Sequence, residues 1–355
     1  MARRAAELSE HGELSGMAES SGMAELSGMN DALIELDSLE KVFQVRRRRA
    51  GGLRRTREEV RAVDGISFTV ARGEMVGYIG PNGAGKSTTI KMLTGILTPS
   101  GGRLRVAELD PARERTRLAR RIGVVFGQRT TLWWDLPLRD SYRLARRMYR
   151  VEEARFRANM DRLVELLGLG SLLDVPVRQL SLGQRMRGDI AAALLHDPDV
   201  LYLDEPTIGL DVTSKARVRG FLRDLNRERG TTVLLTTHDL TDIEQLCRRV
   251  MVIDHGRLMY DGALSGLTEI GESERTLVVD LERELPPIEV AGARTVRVEG
   301  PRQWLAFPAA ASAAPLVARI AESCPLVDLS IREPDIEDVI ARMYELGRTG
   351  GTEVG

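Results

Sequence analysis

Residues 80–88 read Gly-Pro-Asn-Gly-Ala-Gly-Lys-Ser-Thr and fit the pattern G-x-x-x-x-G-K-[ST]. The apolar run 75–79 before them predicts a strand, and the spacing of apolar positions along 86–97 predicts a helix directly after them. In this order the backbone N–H groups of the loop and the positive end of the helix dipole face the same anion. The stretch therefore predicts an α/β fold built on a P-loop NTPase sheet domain that binds a nucleoside triphosphate.

The loop supplies the first set of candidate binding residues. Lys86 would reach the β- and γ-phosphates of ATP, and Ser87 would hold Mg²⁺. Four of the 51 basic residues are lysines, so a lysine kept at position 86 indicates that a compact charge is required there. The alternative is a chance match in a glycine-rich chain, and the flanking strand and helix argue against it. The candidates are Gly80, Pro81, Asn82, Gly83, Ala84, Gly85, Lys86, Ser87 and Thr88.

A second segment, 200–206, reads Val-Leu-Tyr-Leu-Asp-Glu-Pro. Its apolar part predicts a buried strand that delivers two carboxylates at its carboxyl end, where α/β sheets bind ligands. Asp204 is placed to hold the Mg²⁺ shell, and Glu205 to polarise the attacking water. The alternative is a polar turn that ends a strand, which the glycine loop upstream makes the minor interpretation.

A third segment, 180–187, reads Leu-Ser-Leu-Gly-Gln-Arg-Met-Arg and leads into a helix rich in Ala and Leu. Ser181 is a good N-cap, and Gly183 permits close backbone approach to a phosphate. Taken alone, this segment favours an ordinary helix cap.

Together the three segments resemble the ATP-binding subunits of ABC transporters, over about residues 33–266. The run 181–184 resembles the signature motif L-S-G-G-Q, with Leu182 in place of the first glycine. Further matches to the family follow in order along the chain: Phe43 as the adenine-stacking aromatic, Gln128 in the Q-loop, Gly209-Leu210-Asp211 as the D-loop and His238 as the switch histidine.

The resemblance implies roles for these residues. Glu205, His238 and Gln128 would act in catalysis, with Gln128 also sensing Mg²⁺. Ser181, Gly183 and Gln184 would close over ATP bound to a second copy, so that two head-to-tail protomers of a homodimer sandwich two nucleotides. A histidine that follows a strand is otherwise more often structural, and its place after the apolar run 232–236 favours the switch role.

The resemblance also implies partners. Integral-membrane permease subunits would receive the motion, the transported cargo would not touch this subunit, and the protein would lie at the cytoplasmic face of the plasma membrane. The segment 126–137 and the tail 332–340 resemble the ABC-2 type exporters that include drug and antibiotic efflux pumps. An importer subunit, a soluble ATPase acting on ribosomes or DNA, and a regulator without turnover are the alternatives.

Composition fits this interpretation. The 355 residues are 43% hydrophobic and 29% charged, with a net charge of −1, so no global field favours nucleic acid. No uncharged apolar run approaches the ~20 residues of a membrane-spanning helix. An export signal is not expected, and Cys247 and Cys324 read as reduced thiols.

The chain is expected to divide into four parts. Residues 1–31 are a disordered low-complexity tail, and 32–272 form the ABC ATP-binding domain, with a helical lobe at about 128–195 and an antiparallel β subdomain. Residues 273–347 form a small C-terminal α/β subdomain, and 348–355 a flexible tail. The C-terminal part is expected to stabilise a dimer or to regulate it, as such extensions do in the family.

The predicted elements follow from apolar periodicity. Strands are predicted at 75–79, 122–126, 199–203, 232–236, 249–253, 276–281, 295–298, 304–307 and 327–331. Helices are predicted at 86–97, 139–149, 152–167, 183–195, 212–228, 315–322 and 334–346.

Two features leave alternatives open. The arginine-rich stretch 46–57 is either a solvated β-hairpin loop or a contact with anionic lipid headgroups. Trp133 and Trp134 either belong to the core or line a groove for the membrane subunit.

Overall fold

The apolar runs form strands in the computed structural model, which describes residues 31–48, 55–127, 129–267, 274–309, 311–332 and 339–340. The strands are β1 (Ala32–Arg48), β2 (Arg55–Ala71), β3 (Met75–Ile79), β4 (Gly101–Val106), β5 (Ile122–Phe126), β6 (Val200–Asp204), β7 (Thr232–Thr236), β8 (Arg249–Asp254), β9 (Arg257–Ala263), β10 (Glu274–Leu281), β11 (Arg294–Glu299), β12 (Arg302–Pro308) and β13 (Leu326–Arg332).

Nine helices lie within the described ranges. They are α1 (Lys86–Leu93), α2 (Arg115–Leu118), α3 (Leu138–Tyr149), α4 (Glu153–Leu166), α5 (Leu182–Leu194), α6 (Val212–Arg229), α7 (Leu240–Leu246), α8 (Leu264–Leu267) and α9 (Ala314–Ser323). Apart from α1, the predicted elements that fall on described residues begin and end within two residues of these bounds.

A six-stranded sheet with the order β5-β6-β7-β3-β8-β9 carries the predicted site. Its first four strands in this order, β5, β6, β7 and β3, pair in parallel, and every residue of β3 and β7 is buried. Parallel strands covered on both faces read as continuous apolar runs, which explains why the sequence predicted them well. Because β3, β6 and β7 are parallel neighbours, the residues at their carboxyl ends meet at one edge of the sheet.

A separate three-stranded antiparallel sheet has the order β2-β1-β4. β1 and β2 pair along their whole length, from Ala32 opposite Ala71 to Arg48 opposite Arg55. The described part of the basic stretch, residues 46–48 and 55–57, therefore belongs to the paired strands of a hairpin. Residues 49–54 of this stretch lie outside the described residues.

Helix α1 ends at Leu93, four residues before its predicted end at 97. The hydroxyl and the backbone N–H of Thr94 both bond the carbonyl of Ile90, which completes the last turn. Gly95 then adopts a left-handed conformation with φ 71°, and a Cβ there would lie 2.5 Å from the carbonyl oxygen of Pro111. The glycine ends the helix because a neighbouring segment requires its backbone to turn.

Between β5 and β6 the chain forms α3, α4, two short 3₁₀ turns and α5, with no sheet strand among the described residues of that span. This is the predicted inserted helical lobe. Predicted tail 1–31 lies outside the described residues except for residue 31, as does the predicted helix 334–346 except for residues 339–340.

The chain divides into two units, Met1–Leu246 with Met251–Leu258, and Cys247–Val250 with Met259–Gly355. The second unit contains an antiparallel sheet with the order β11-β12-β10-β13. Leu277, Leu305 and Phe307 of this sheet pack with Leu316 and Ile320 of α9 in a core of its own.

Candidate functional site

The glycine loop joins β3 to α1, and its backbone geometry requires glycine. Gly83 has φ 86° and Gly85 has φ 111°, which are left-handed values that other residues rarely adopt. A Cβ on Gly80 would lie 2.3 Å from the carbonyl oxygen of Ile253, and a Cβ on Gly85 would lie 2.4 Å from that of Ala62. Side chains at these positions would therefore distort the loop that carries the candidate phosphate ligands.

Lys86 lies folded against this loop. Its amine donates to the carbonyl oxygens of Gly80 at 2.5 Å and Pro81 at 3.1 Å, and the side chain is 6% exposed. Burial lowers the pKa of Lys86 below its ordinary value, and the nearby carboxylates of Glu205 and Asp204 oppose that shift. A poorly hydrated cation at the mouth of the loop is suited to bind an anionic phosphate.

Ser87 and Asp204 meet at the edge of the sheet. The hydroxyl of Ser87 donates to one carboxylate oxygen of Asp204 at 3.3 Å, and that of Thr236 donates to the other at 2.6 Å. Mg²⁺ prefers oxygen ligands and is commonly held by one or two protein oxygens together with substrate phosphates. The adjacent hydroxyl and carboxylate therefore fit such an ion, with Thr236 orienting the carboxylate.

Glu205 and His238 form a pair beside this cluster. Nε2 of His238 lies 2.9 Å from Oε1 of Glu205. Glu205 has φ 58°, and its backbone N–H donates to the carbonyl of Thr236 at 2.9 Å. A non-glycine residue in this conformation is uncommon, and such residues cluster at functional sites. The turn aims the carboxylate away from the strand and towards the histidine.

Gln128 lies outside the described residues, but its neighbour Gly127 lies within them. The N–H of Gly127 donates to the carbonyl of Asp204 at 2.7 Å, and a Cβ at this position would lie 2.1 Å from the carbonyl oxygen of Glu205. Neither Gly127 nor Thr236 was predicted from the sequence as a site residue. A glycine just before the glutamine, and a threonine at the end of a buried strand, were the available signals.

The segment 181–184 forms the start of α5. Ser181 Oγ accepts from the N–H of Gln184 at 3.2 Å, and Gln184 Oε1 accepts from the N–H of Ser181 at 2.9 Å. This is a capping box, so the helix-cap interpretation is correct in local structure. A Cβ on Gly183 would lie 2.5 Å from the hydroxyl of Ser214, so the glycine is required for close packing.

Leu182, which replaces a family glycine, has a partner in the D-loop. Its Cδ2 would lie 2.9 Å from a Cβ built on Gly209, which has φ 70°. Nearby, Asp211 caps α6 by accepting from the N–H of Ser214 at 2.9 Å and from its hydroxyl at 2.6 Å. These bonds hold the pKa of Asp211 below its ordinary value.

The predicted residues thus fall into two groups. One group surrounds Lys86, and the other joins the start of α5 to the cap of α6. Phe43 lies on β1, half-buried, with the Lys41 amine 5.3 Å from its ring centroid. The first group is the candidate site: Gly80, Lys86, Ser87, Asp204, Glu205 and His238.

Trp133 and Trp134 lie on the surface, 54% and 49% exposed, so the interpretation of them as core residues is wrong. The loop before them is held by Asp189 of α5, which is 5% exposed. One oxygen of Asp189 accepts from the hydroxyl of Thr130 at 2.9 Å and from the N–H and hydroxyl of Thr131 at 2.8 and 3.1 Å. Burial raises the pKa of Asp189, while these bonds oppose the shift.

We expect Asp189→Ala to destabilise the protein by about 2–3 kcal/mol, because three donors lose their acceptor in a buried place. Asp189→Asn should cost much less, because its amide oxygen keeps the acceptor without the buried charge. Urea unfolding of both variants measures the difference. Equal losses for the two would mean that the charge, and not the acceptor, holds the loop.

No helix within the described residues has the length and apolar character needed to cross a bilayer.

The chain is similar to one known protein family and to several named bacterial proteins. The family described as ABC transporter matches residues 63–208. The ABC transporter ATP-binding protein NatA of Bacillus subtilis is 36% identical over 215 residues, covering 61% of this chain and 87% of that protein. The Nod factor export ATP-binding protein I of Paraburkholderia xenovorans is 41% identical over 244 residues, covering 68% and 75%. The daunorubicin/doxorubicin resistance protein DrrA of Streptomyces peucetius is 37% identical over 270 residues, covering 72% and 81%.

Solved structures are also similar to this chain. CbiO1 of Clostridium perfringens, part of an ABC transporter complex, aligns with a TM-score of 0.57 at 28% identity and covers 68% of this chain and 92% of its own. A dimeric ATP-binding cassette in a post-hydrolysis state with ADP and Pi aligns with a TM-score of 0.57 at 25% identity, covering 65% and 98%.

Proposed function

This chain belongs to the ATP-binding subunits of ABC transporters, and from that premise we propose that two copies of it hydrolyse ATP at shared sites and drive export through separate membrane subunits. The contact between Glu205 and His238, beside Lys86, is the observation that carries the proposal. It joins a carboxylate and an imidazole at the carboxyl ends of β6 and β7, on the sheet edge where β3 leads into the phosphate loop.

The residues of the site have different roles in phosphoryl transfer. Lys86 binds the β- and γ-phosphates, since its desolvated amine gains an anionic partner there. Glu205 accepts a hydrogen bond from the attacking water and orients it towards the γ-phosphate. His238, which follows β7, contacts the same phosphate. Gln128 follows Gly127, and we assign it to the same water and metal, as in the family.

Ser87 and Asp204 are the residues that would hold Mg²⁺, with Thr236 fixing the orientation of the carboxylate. The ion would neutralise charge on the β- and γ-phosphate oxygens during transfer. Phe43 would stack on the adenine.

The second copy supplies the remaining contacts. Ser181 and Gly183 contact Gln184 and Ser214 of their own chain, in a group separate from Lys86. The N-terminus of α5, with its exposed serine, is suited to meet a phosphate bound elsewhere. The dimeric cassette among the structural relatives supports a homodimer in which each signature segment closes over the other copy's ATP.

Export is favoured over import by the names of the relatives. Two of them are an export protein and a drug-resistance protein, which agrees with the ABC-2 resemblance of 126–137. The exposed Trp133 and Trp134 fit a contact with an integral-membrane permease, which would place the protein at the cytoplasmic face of the plasma membrane. The cargo does not contact this subunit, and no nucleic acid takes part.

Mixing two inactive variants tests the shared sites. Lys86→Ala removes the phosphate cation, and Ser181→Asp keeps a good N-cap while placing a negative charge at the signature segment. A heterodimer of the two has one intact composite site, so an equal mixture should recover about a quarter of wild-type ATP turnover. Phosphate release by each variant alone, and by the mixture, is the measurement.

A mixture that shows no more than the sum of its components would contradict a shared site and leave ATP bound by one chain alone.

A further inference from the structure

We propose that Asp242 is a positioning residue for His238: its buried carboxylate ties the loop after Glu205 to the loop that carries His238, and so sets the contact between the two. The proposal rests on the proposed catalytic role of His238. It concerns a residue outside the motif segments identified in the sequence.

His238 needs such support because its side chain is only partly packed. Its side chain is 47% exposed, and Glu205, at 2.9 Å, is its one ion-pair partner among the described residues. A solvent-exposed ring that must meet a phosphate depends on the backbone that carries it. The neighbours of His238, by contrast, are held firmly.

Asp242 joins the two strand ends directly. It is fully buried and accepts from the hydroxyls of Thr207 and Thr237, the latter at 3.1 Å. Thr207 follows Glu205 by two residues, and Thr237 immediately precedes His238. Both threonines are 3% exposed, so each hydroxyl has exchanged water for this carboxylate. One side chain therefore links the two segments of the catalytic pair.

Arg219 of α6 extends the link to the other side of His238. Its Nε donates to Asp242 at 2.5 Å, and its NH2 group donates to Asp239 at 3.2 Å. The amine of Lys215 donates to the same oxygen of Asp239 at 2.6 Å. The residue before His238 and the residue after it are thus both anchored.

The charges in this network balance. Asp239 and Asp242 face Lys215 and Arg219, and Arg219 is 12% exposed. A buried ion pair contributes little net stability, but removing one partner leaves an uncompensated charge. The benefit of keeping the network is a defined geometry, and the pair that it defines lies 2.9 Å apart at the site.

The experiment compares ATP turnover in two backgrounds. Asp242→Asn should lower kcat by about 10- to 100-fold while leaving the KM for ATP within about twofold, because a small displacement of His238 affects transfer and not binding. In a His238→Ala background the same substitution should lower kcat by less than about twofold, because the residue to be positioned is gone.

Two further variants serve as a substitute test and as a control. Thr207→Val removes one donor to Asp242 but keeps the Asp242–Arg219 pair. It replaces Asp242→Asn in the test if that variant does not fold. Thr207→Val should lower kcat by about 3- to 10-fold, again only when His238 is present. Asp189→Asn is the control, since it removes another buried carboxylate, on α5, and should leave kcat within about twofold.

An equal loss of kcat in both backgrounds would show a general structural role and overturn the proposal, as would wild-type kcat in the folded Asp242→Asn protein. If His238→Ala itself retains wild-type turnover, the proposed role of His238 fails first. The two failures are thus distinguishable.

Discussion

Glu205→Gln is expected to lower ATP turnover by about 10²- to 10⁴-fold, the range that removal of a general base produces. Glutamine keeps the size and one oxygen of the side chain but cannot accept a proton or hold the attacking water as strongly. The carboxylate lies 2.9 Å from His238 and is 19% exposed, so its charge acts in a partly desolvated place. Phosphate release under saturating ATP is the measurement.

The same variant should bind ATP at least as tightly as the wild type. Glu205 is one of the two carboxylates whose field raises the pKa of Lys86, so removing its charge lessens repulsion of the nucleotide. Isothermal titration with ATP and Mg²⁺ measures this. A loss of turnover with retained binding separates catalysis from site collapse.

Glu228→Gln is the matched control, because Glu228 is 53% exposed on α6 and pairs with Arg162 at 3.3 Å. It should leave turnover unchanged. Glu205→Gln with turnover within about twofold of the wild type would instead assign the water-orienting role to another residue.

The parts of the site that the sequence predicted are those specified by local patterns. The glycine loop requires left-handed φ at Gly83 and Gly85 and close approach at Gly80, and only glycine meets these demands, so the pattern and the structure coincide. Asp204 ends, and Glu205 follows, a strand that is buried throughout its apolar part, and the end of such a strand is readable from its apolar run.

The parts that were missed depend on contacts between distant segments. The end of α1 is set by Gly95 against Pro111. Glycine at 95 was the available signal, but the apolar pattern continues to 97 and outweighed it. The network around Asp242 joins Thr207, Arg219 and Thr237, which come from three separate segments. Each residue alone looks like an ordinary polar position, so only the fold reveals their meeting.

The tryptophans show a third case. An aromatic pair in a loop fits a core and an exposed groove equally well, because apolar residues occupy both. In the structure both tryptophans are exposed, while three hydrogen bonds to Asp189 hold the threonines that precede them. A buried carboxylate on a helix of small residues was a signal in the sequence that could have pointed to a fixed polar contact.

Lys86→Met is expected to weaken ATP binding by about 10- to 100-fold, which corresponds to the roughly 1.5–3 kcal/mol of a hydrogen bond to a charged group. Methionine has a similar length and fills the same space, but it leaves the phosphates without their cation. Isothermal titration with Mg²⁺ and ATP is the measurement. Lys91→Met, an exposed lysine on the same helix, should leave the affinity unchanged.

The stability of the same variant should move in the opposite direction. Burial lowers the pKa of Lys86, so the folded protein holds the charged amine less readily than the unfolded chain does. While the amine is protonated, it therefore costs stability, and methionine removes that cost together with two hydrogen bonds to carbonyls at half-buried positions. Thermal unfolding without nucleotide should show a midpoint equal to or above that of the wild type. If Lys86 were kept for stability, its replacement would lower both the ATP affinity and the unfolding midpoint. If it is kept to bind phosphate, its replacement lowers the ATP affinity alone.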